Sequence, residues 1–362
     1  MRVVYPYVTN EGFGNNVVTL AKAWLISQSC GMRYQRPAWQ FSHHVQPPTP
    51  NGYGYYFPTT RGDALRLKTY DLLFRAQAKL KRQVIPTIFF DYAHYAETGI
   101  IDVGEACRVM LQQQGLDSPR QSVVLYTAGN WGQYDGIVRA RGWVRELLLS
   151  HADTRRRFEA FETATAGRLR VGVHIRCGDF APRTTTVAIP AGERNVRLPL
   201  SWYITLCREI RAVADVQFVL QSDGTPDELR DFLDEFQPHH TLGEPYQDML
   251  GALILSACDL ALCSNSTYAR LAMYMNDKPY IWSAETLYPD QSGRFGYLWR
   301  EKDRPLPTAD RSDPHATRRC YAVSIERPRL PEGARRYLHA GAALPTEIAD
   351  DLLLRQPVHL FV

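Results

Sequence analysis

Four short apolar runs in the second half of the chain, at 171–176, 216–221, 259–263 and 279–282, stop abruptly at polar or small residues. Stretches with helical spacing lie between them, at 201–214, 225–236, 246–257 and 267–276. Apolar runs without polar alternation are strands covered on both faces, and helices between them force parallel pairing. An α/β unit of Rossmann-like order is therefore expected here. In the first half, a strand at 3–8 leads through a Gly-rich turn, Asn10 to Asn16, into a helix over 17–29. Helical patterns at 65–80 and 104–114, strands at 84–90 and 122–126, and one or two helices over 138–166 continue the alternation.

A chain of 362 residues exceeds one ordinary core, so two lobes are expected. The boundaries are read as 1–160, 161–300 and a Pro- and Arg-rich segment, 301–362. Its apolar end, at 352–354 and 360–362, suits packing back on the N-terminal lobe. No apolar run approaches the roughly 18 residues of a membrane span, and the N-terminus lacks a signal-peptide pattern, so a cytoplasmic location is expected, with or without peripheral membrane attachment. The seven cysteines are scattered without a Cys-x-x-Cys pair; reduced thiols are expected, with Cys258 and Cys263 in the core. With 42 basic against 38 acidic residues the net charge is only +4, which excludes a dedicated nucleic-acid binder. Any anion site must be local, because clusters such as Arg155 to Arg157 have acidic neighbours and read as solvated helix faces.

Three strand ends carry chemistry. The first run ends in His174-Ile175-Arg176-Cys177-Gly178-Asp179-Phe180, which puts a permanent cation at the carboxyl edge of a parallel sheet, where a pyrophosphate would bind. The third is followed by Ser264-Asn265-Ser266-Thr267 at the start of a helix, either an anion site of hydroxyls and free N–H groups or an ordinary N-cap. The second ends at Ser222-Asp223, where the carboxylate either accepts from a base such as guanine or caps the helix starting near Pro226. In the first lobe, Gly12 and Gly14 let the backbone turn tightly and approach a ligand. The aromatic segment Tyr53 to Phe57 either packs on its own domain or stacks on a ligand, and Ala181 to Leu200 is either a lid or a disordered loop.

Together, and in this order, these motifs resemble the fucosyltransferase superfamily of α-1,2- and α-1,6-fucosyltransferases and protein O-fucosyltransferases. His174 to Phe180 is similar to its His-x-Arg-Arg-Gly-Asp-Tyr motif, and Ser264 to Ala269 to its Ser-Asn-Ser-Ser/Thr-Phe-Ser motif. Gly12-Phe13-Gly14-Asn15-Asn16 is similar to Gly-Leu-Gly-Asn-Gln, and Gln247-Asp248-Met249 to an Asp-x-x-x-Met region. Cys177 departs from the α-1,2 branch, which has a second Arg there; the protein O-fucosyltransferases also lack it. The resemblance implies a GT-B-like fold, two Rossmann-type lobes facing a central cleft. It further implies inverting, metal-independent transfer of fucose from GDP-fucose to a hydroxyl of a glycan or glycoside, with no cofactor.

By the same resemblance Arg176 binds the β-phosphate, His174 and Asp223 lie at the guanine, Ser264, Asn265, Ser266 and Thr267 hold phosphate, and Gly12, Phe13, Gly14 and Asn15 close the cleft. Glu11 is the first candidate for general base and Asp179 the second. No Asp-x-Asp metal motif occurs. Two alternatives stay open: a donor with another deoxysugar nucleotide, dTDP or UDP, and a non-catalytic nucleotide-sugar or glycan-binding protein.

Overall fold

The computed structural model describes residues 2–8, 12–37, 62, 65, 69, 72, 85–100, 102–127, 129, 134–178, 197–244, 247–276, 278–286, 289–290, 293–294 and 320–342. The chain forms two compact units, Met1–Phe158 with Gly243–Leu253, and Glu159–Leu242 with Ile254–Val362. The aromatic segment at 53–57, the stretch 179–196 and the apolar C-terminus lie outside the described residues.

In the first unit, strands β1 (Arg2–Pro6), β2 (Arg33–Tyr34), β3 (Thr87–Phe90) and β4 (Val123–Thr127) make a parallel sheet of order β2-β1-β4-β3. Helices α1 (Phe13–Ser29), α2 (Tyr92–Thr98), α3 (Val103–Gln113) and α4 (Arg141–Leu149) follow the strands, and α5 (Ala152–Ala164) leads out of the unit. Helix α1 begins four residues earlier than its apolar spacing suggests, so Phe13 to Asn16 form its first turn. It is buried on nearly every side and even encloses Lys22, whose Nζ donates to the Gly129 carbonyl at 2.5 Å. That bond answers the desolvation of the ammonium.

The second unit holds six parallel strands in the order β12-β9-β8-β5-β6-β7. They are β5 (Leu169–Ile175), β6 (Val216–Ser222), β7 (His239–His240), β8 (Leu260–Leu262), β9 (Tyr280–Ser283) and β12 (Cys320–Val323). A separate antiparallel pair, β10 (Pro289–Asp290) and β11 (Gly293–Arg294), precedes β12. The connecting helices are α6 (Leu200–Val213), α7 (Arg230–Phe236), α8 (Gln247–Ser256), which belongs to the first unit up to Leu253 and to the second from Ile254, α9 (Thr267–Tyr274) and α10 (Glu332–His339). On one sheet face Val171, Val173 and Ile175 join a core with Trp202, Leu206 and Ile210 of α6 and Phe232 of α7. On the other face Gly172 is required by contact: a Cβ there would lie 2.6 Å from Leu255 Cδ1 of α8.

The described part of the C-terminal segment, 320–342, pairs β12 with β9 and lays α10 on α6, both within the second unit, while its apolar end lies outside the described residues. Tyr321, Val323 and Ile325 supply the apolar residues that cover this sheet, and β12 occupies an edge that β9 would otherwise leave unpaired. Arg156 binds Asp153 on its own helix, as the acidic neighbours suggest, whereas Arg139 grips Asp102, distant in sequence, through Nε at 2.8 Å and a terminal nitrogen at 2.7 Å. Cys258 and Cys263 are buried, and no described helix is long and apolar enough to cross a membrane.

Candidate active site

The strand order fixes where chemistry can sit. From β5 the chain adds β6 and β7 on one side, then returns to place β8 and β9 on the other. The two helical connections leave in opposite directions there, which opens a crevice at the carboxyl ends of β5 and β8. His174 and Arg176 end β5, and Ser264 follows β8.

Ninety residues apart in sequence, the His174 and Ser264 side chains share a hydrogen bond, Oγ to Nδ1, of 2.7 Å. The Ser264 N–H also donates to the His174 carbonyl at 3.1 Å, continuing the β5–β8 ladder past the strand end. The Tyr268 ring, one turn into α9, stacks on the imidazole with centroids 5.0 Å apart. Burial, and secondarily the charge of Arg176, push the imidazole down to about 3, so it is neutral under physiological conditions. An unfolded His titrates near 6.5. Between those values the unfolded chain binds a proton that the folded one does not, so stability is fully present above pH 6.5 and is lost as the pH falls toward 3. Thermal melts should show this acid loss in the wild type and a shallower one in His174→Gln; equal slopes would contradict the assignment.

Arg176 is held by Asp223 at the end of β6, with a guanidinium nitrogen 2.7 Å from Oδ2. The other carboxylate oxygen, Oδ1, accepts the Cys177 N–H at 2.6 Å. Gly178 completes this arrangement because a Cβ there would lie 2.2 Å from Asp223 Oδ2. Each carboxylate oxygen thus has one partner and keeps a further lone pair for a base, and Asp223 caps no helix. Thr225 and Glu228 close the turn that precedes α7: Thr225 Oγ1 accepts the Glu228 N–H at 3.3 Å while Glu228 Oε2 accepts the Thr225 N–H at 2.9 Å. Thr225-Pro226-Asp227-Glu228 carries a capping-box signature in the sequence, but α7 itself starts at Arg230, and its N-cap, Leu229, makes no side-chain bond. Ser222 Oγ donates to the Ile175 carbonyl at 2.6 Å and accepts from Gly224 N–H at 3.0 Å.

In the Ser264 to Thr267 turn, Ser264 orients His174, and Ser266 is the N-cap of α9, its Oγ accepting the Tyr268 N–H at 3.2 Å. Asn265 is buried and Thr267 half-buried. The structure thus gathers His174, Arg176, Asp223 and Ser264 to Thr267 at the ends of three adjacent strands. Gly12, Phe13, Gly14 and Asn15 belong to the other unit. Gly12 is the N-cap of α1 with φ −60° and has open space where a Cβ would stand, so the turn itself does not require glycine. Glu11 and Asp179 lie outside the described residues. Among the described residues no group of three His, Cys, Asp or Glu side chains could hold a metal ion. Sequence reasoning missed Tyr268, Gly178 and the Asp223–Arg176 pair.

Among the solved structures this chain resembles are fucosyltransferases. POFUT1 in complex with GDP-fucose is 14% identical, with 77% of this chain and 96% of that chain covered and a TM-score of 0.40. Fucosyltransferase NodZ from Bradyrhizobium is 17% identical, with 76% of this chain and 94% of that chain covered and a TM-score of 0.41. NodZ α-1,6-fucosyltransferase co-crystallized with GDP is 15% identical, covering 76% and 93%, at 0.38. Likenesses at such TM-scores carry no inference of activity. No protein-family model and no curated protein matches the chain.

Proposed function

We propose that the chain is a glycosyltransferase of the fucosyltransferase type, transferring a sugar from a nucleoside-diphosphate donor, GDP-fucose first, to a hydroxyl of a glycan or glycoside. One observation carries the reading. Two motifs 90 residues apart converge through the Ser264–His174 bond at the strand-order switch, beside a guanidinium held in place by Asp223. Loss of a nucleoside diphosphate puts growing negative charge on the leaving oxygens, and a fixed cation that meets this charge stabilises the transition state more than the ground state. Arg176 is the group suited to it, so a divalent metal is not needed in this reading.

Inversion follows if the acceptor hydroxyl attacks the anomeric carbon opposite the diphosphate while a carboxylate takes its proton. Glu11 is proposed for that role, with Asp179 second. A second donor reading rests on the same pair: Asp223 already serves Arg176 and the Cys177 N–H, so its presence at the strand end does not by itself call for guanine, and a dTDP- or UDP-deoxysugar fits the same phosphate chemistry.

Calorimetric titration in EDTA with GDP, UDP, dTDP and GDP-fucose tests the proposal. Micromolar binding of GDP and GDP-fucose supports the fucosyl donor, and preference for dTDP or UDP supports the second reading. No nucleotide binding overturns both.

A further inference from the structure

At the carboxyl ends of β8, β5, β6 and β7 the side chains of Ser264, His174, Gln221 and Thr241 form a buried polar row. His174 pairs with Gln221 across β5 and β6, so both side chains leave the same face of the sheet, beside α9 through Tyr268. Ser264 binds His174, and Thr241 Oγ1 donates to Gln221 Oε1 at 2.9 Å. The row is satisfied at both ends and interrupted in the middle: Gln221 is 3% exposed, and among the described residues its Nε2 has no hydrogen-bond partner. A buried donor left unmade is a standing penalty, and nothing in the packing of a strand end calls for an amide there.

We infer that the Gln221 amide is a specificity-determining donor to a carbonyl oxygen of the donor's nucleobase. The inference rests on the functional reading above. Every member of the row is uncharged, the imidazole being held neutral by burial, while charge is confined to Arg176 and Asp223 beyond the strand ends. Neutral donors suit a base, and the cation suits the diphosphate. An amide N–H with no partner needs an acceptor, which guanine, uracil and thymine supply as a carbonyl oxygen and adenine only as a ring nitrogen, placed differently on the base.

Two variants test this. Gln221→Leu combined with Thr241→Val replaces both partners by apolar groups of similar shape and should leave the melting temperature unchanged or higher. Gln221→Glu keeps the size but has no N–H at neutral pH. Calorimetry with GDP, UDP, dTDP, ADP and inorganic pyrophosphate should show the wild-type preference for carbonyl bases over ADP reduced about tenfold in both, with pyrophosphate affinity unchanged. An unchanged preference, or an equal loss for pyrophosphate, overturns the inference alone. A wild type that binds no nucleoside diphosphate overturns the functional reading with it.

Discussion

Arg176→Ala lowers turnover by about a hundred- to a thousandfold and abolishes micromolar nucleotide affinity, because it removes the guanidinium that Asp223 fixes at the β5 end for the diphosphate. His174 is neutral and cannot substitute for the lost charge. Lysine is a poor replacement, since a point charge on a flexible stem loses the planar fork that can hold Asp223 and phosphate at once. The measurement is steady-state turnover with the donor identified by titration, beside calorimetry on the same variant. Wild-type turnover in Arg176→Ala would remove the assigned role, whatever the donor.

Asp223→Ala produces the larger loss of stability. It removes the partner of a guanidinium whose side chain is 16% exposed and the acceptor of the Cys177 N–H. Breaking such a pair from one side leaves an uncompensated charge, which destabilises by about 2 to 3 kcal/mol, less than for a fully buried pair because both groups touch solvent. Denaturant unfolding of Asp223→Ala, Arg176→Ala and the double variant closes a cycle. The double variant should recover stability relative to Asp223→Ala while remaining inactive. Additive losses would show that the two side chains do not support one another.

Strands β5, β6, β8 and β9 and helices α6 to α9 were legible because burial on both faces leaves continuous apolar runs, and their observed bounds differ from the expected ones by at most two residues, α7 excepted, while the two-residue β7 left no such run. The start of α1 was misplaced because Gly12-Phe13-Gly14 looks like a loop, whereas Phe13 and Asn16 are buried in a helical turn. The C-terminal strand was missed as a sheet member because the need for it arises at the β9 edge, far from it in sequence.

At the site, the residue types were visible and their partners were not. A cation at a strand end and hydroxyls at a helix start follow from local pattern, because period and capping chemistry act over a few residues. That Asp223 lies against Arg176, that Ser264 orients His174, and that Gln221 keeps an unanswered donor all depend on strand order and register. Which strands become neighbours is set by how whole helices and sheets bury their apolar faces together. The sequence by itself determined an α/β chain with a cation and hydroxyls at its strand ends; only the tertiary structure decided which of those groups meet, because contacts across many residues are selected by packing of the assembled unit.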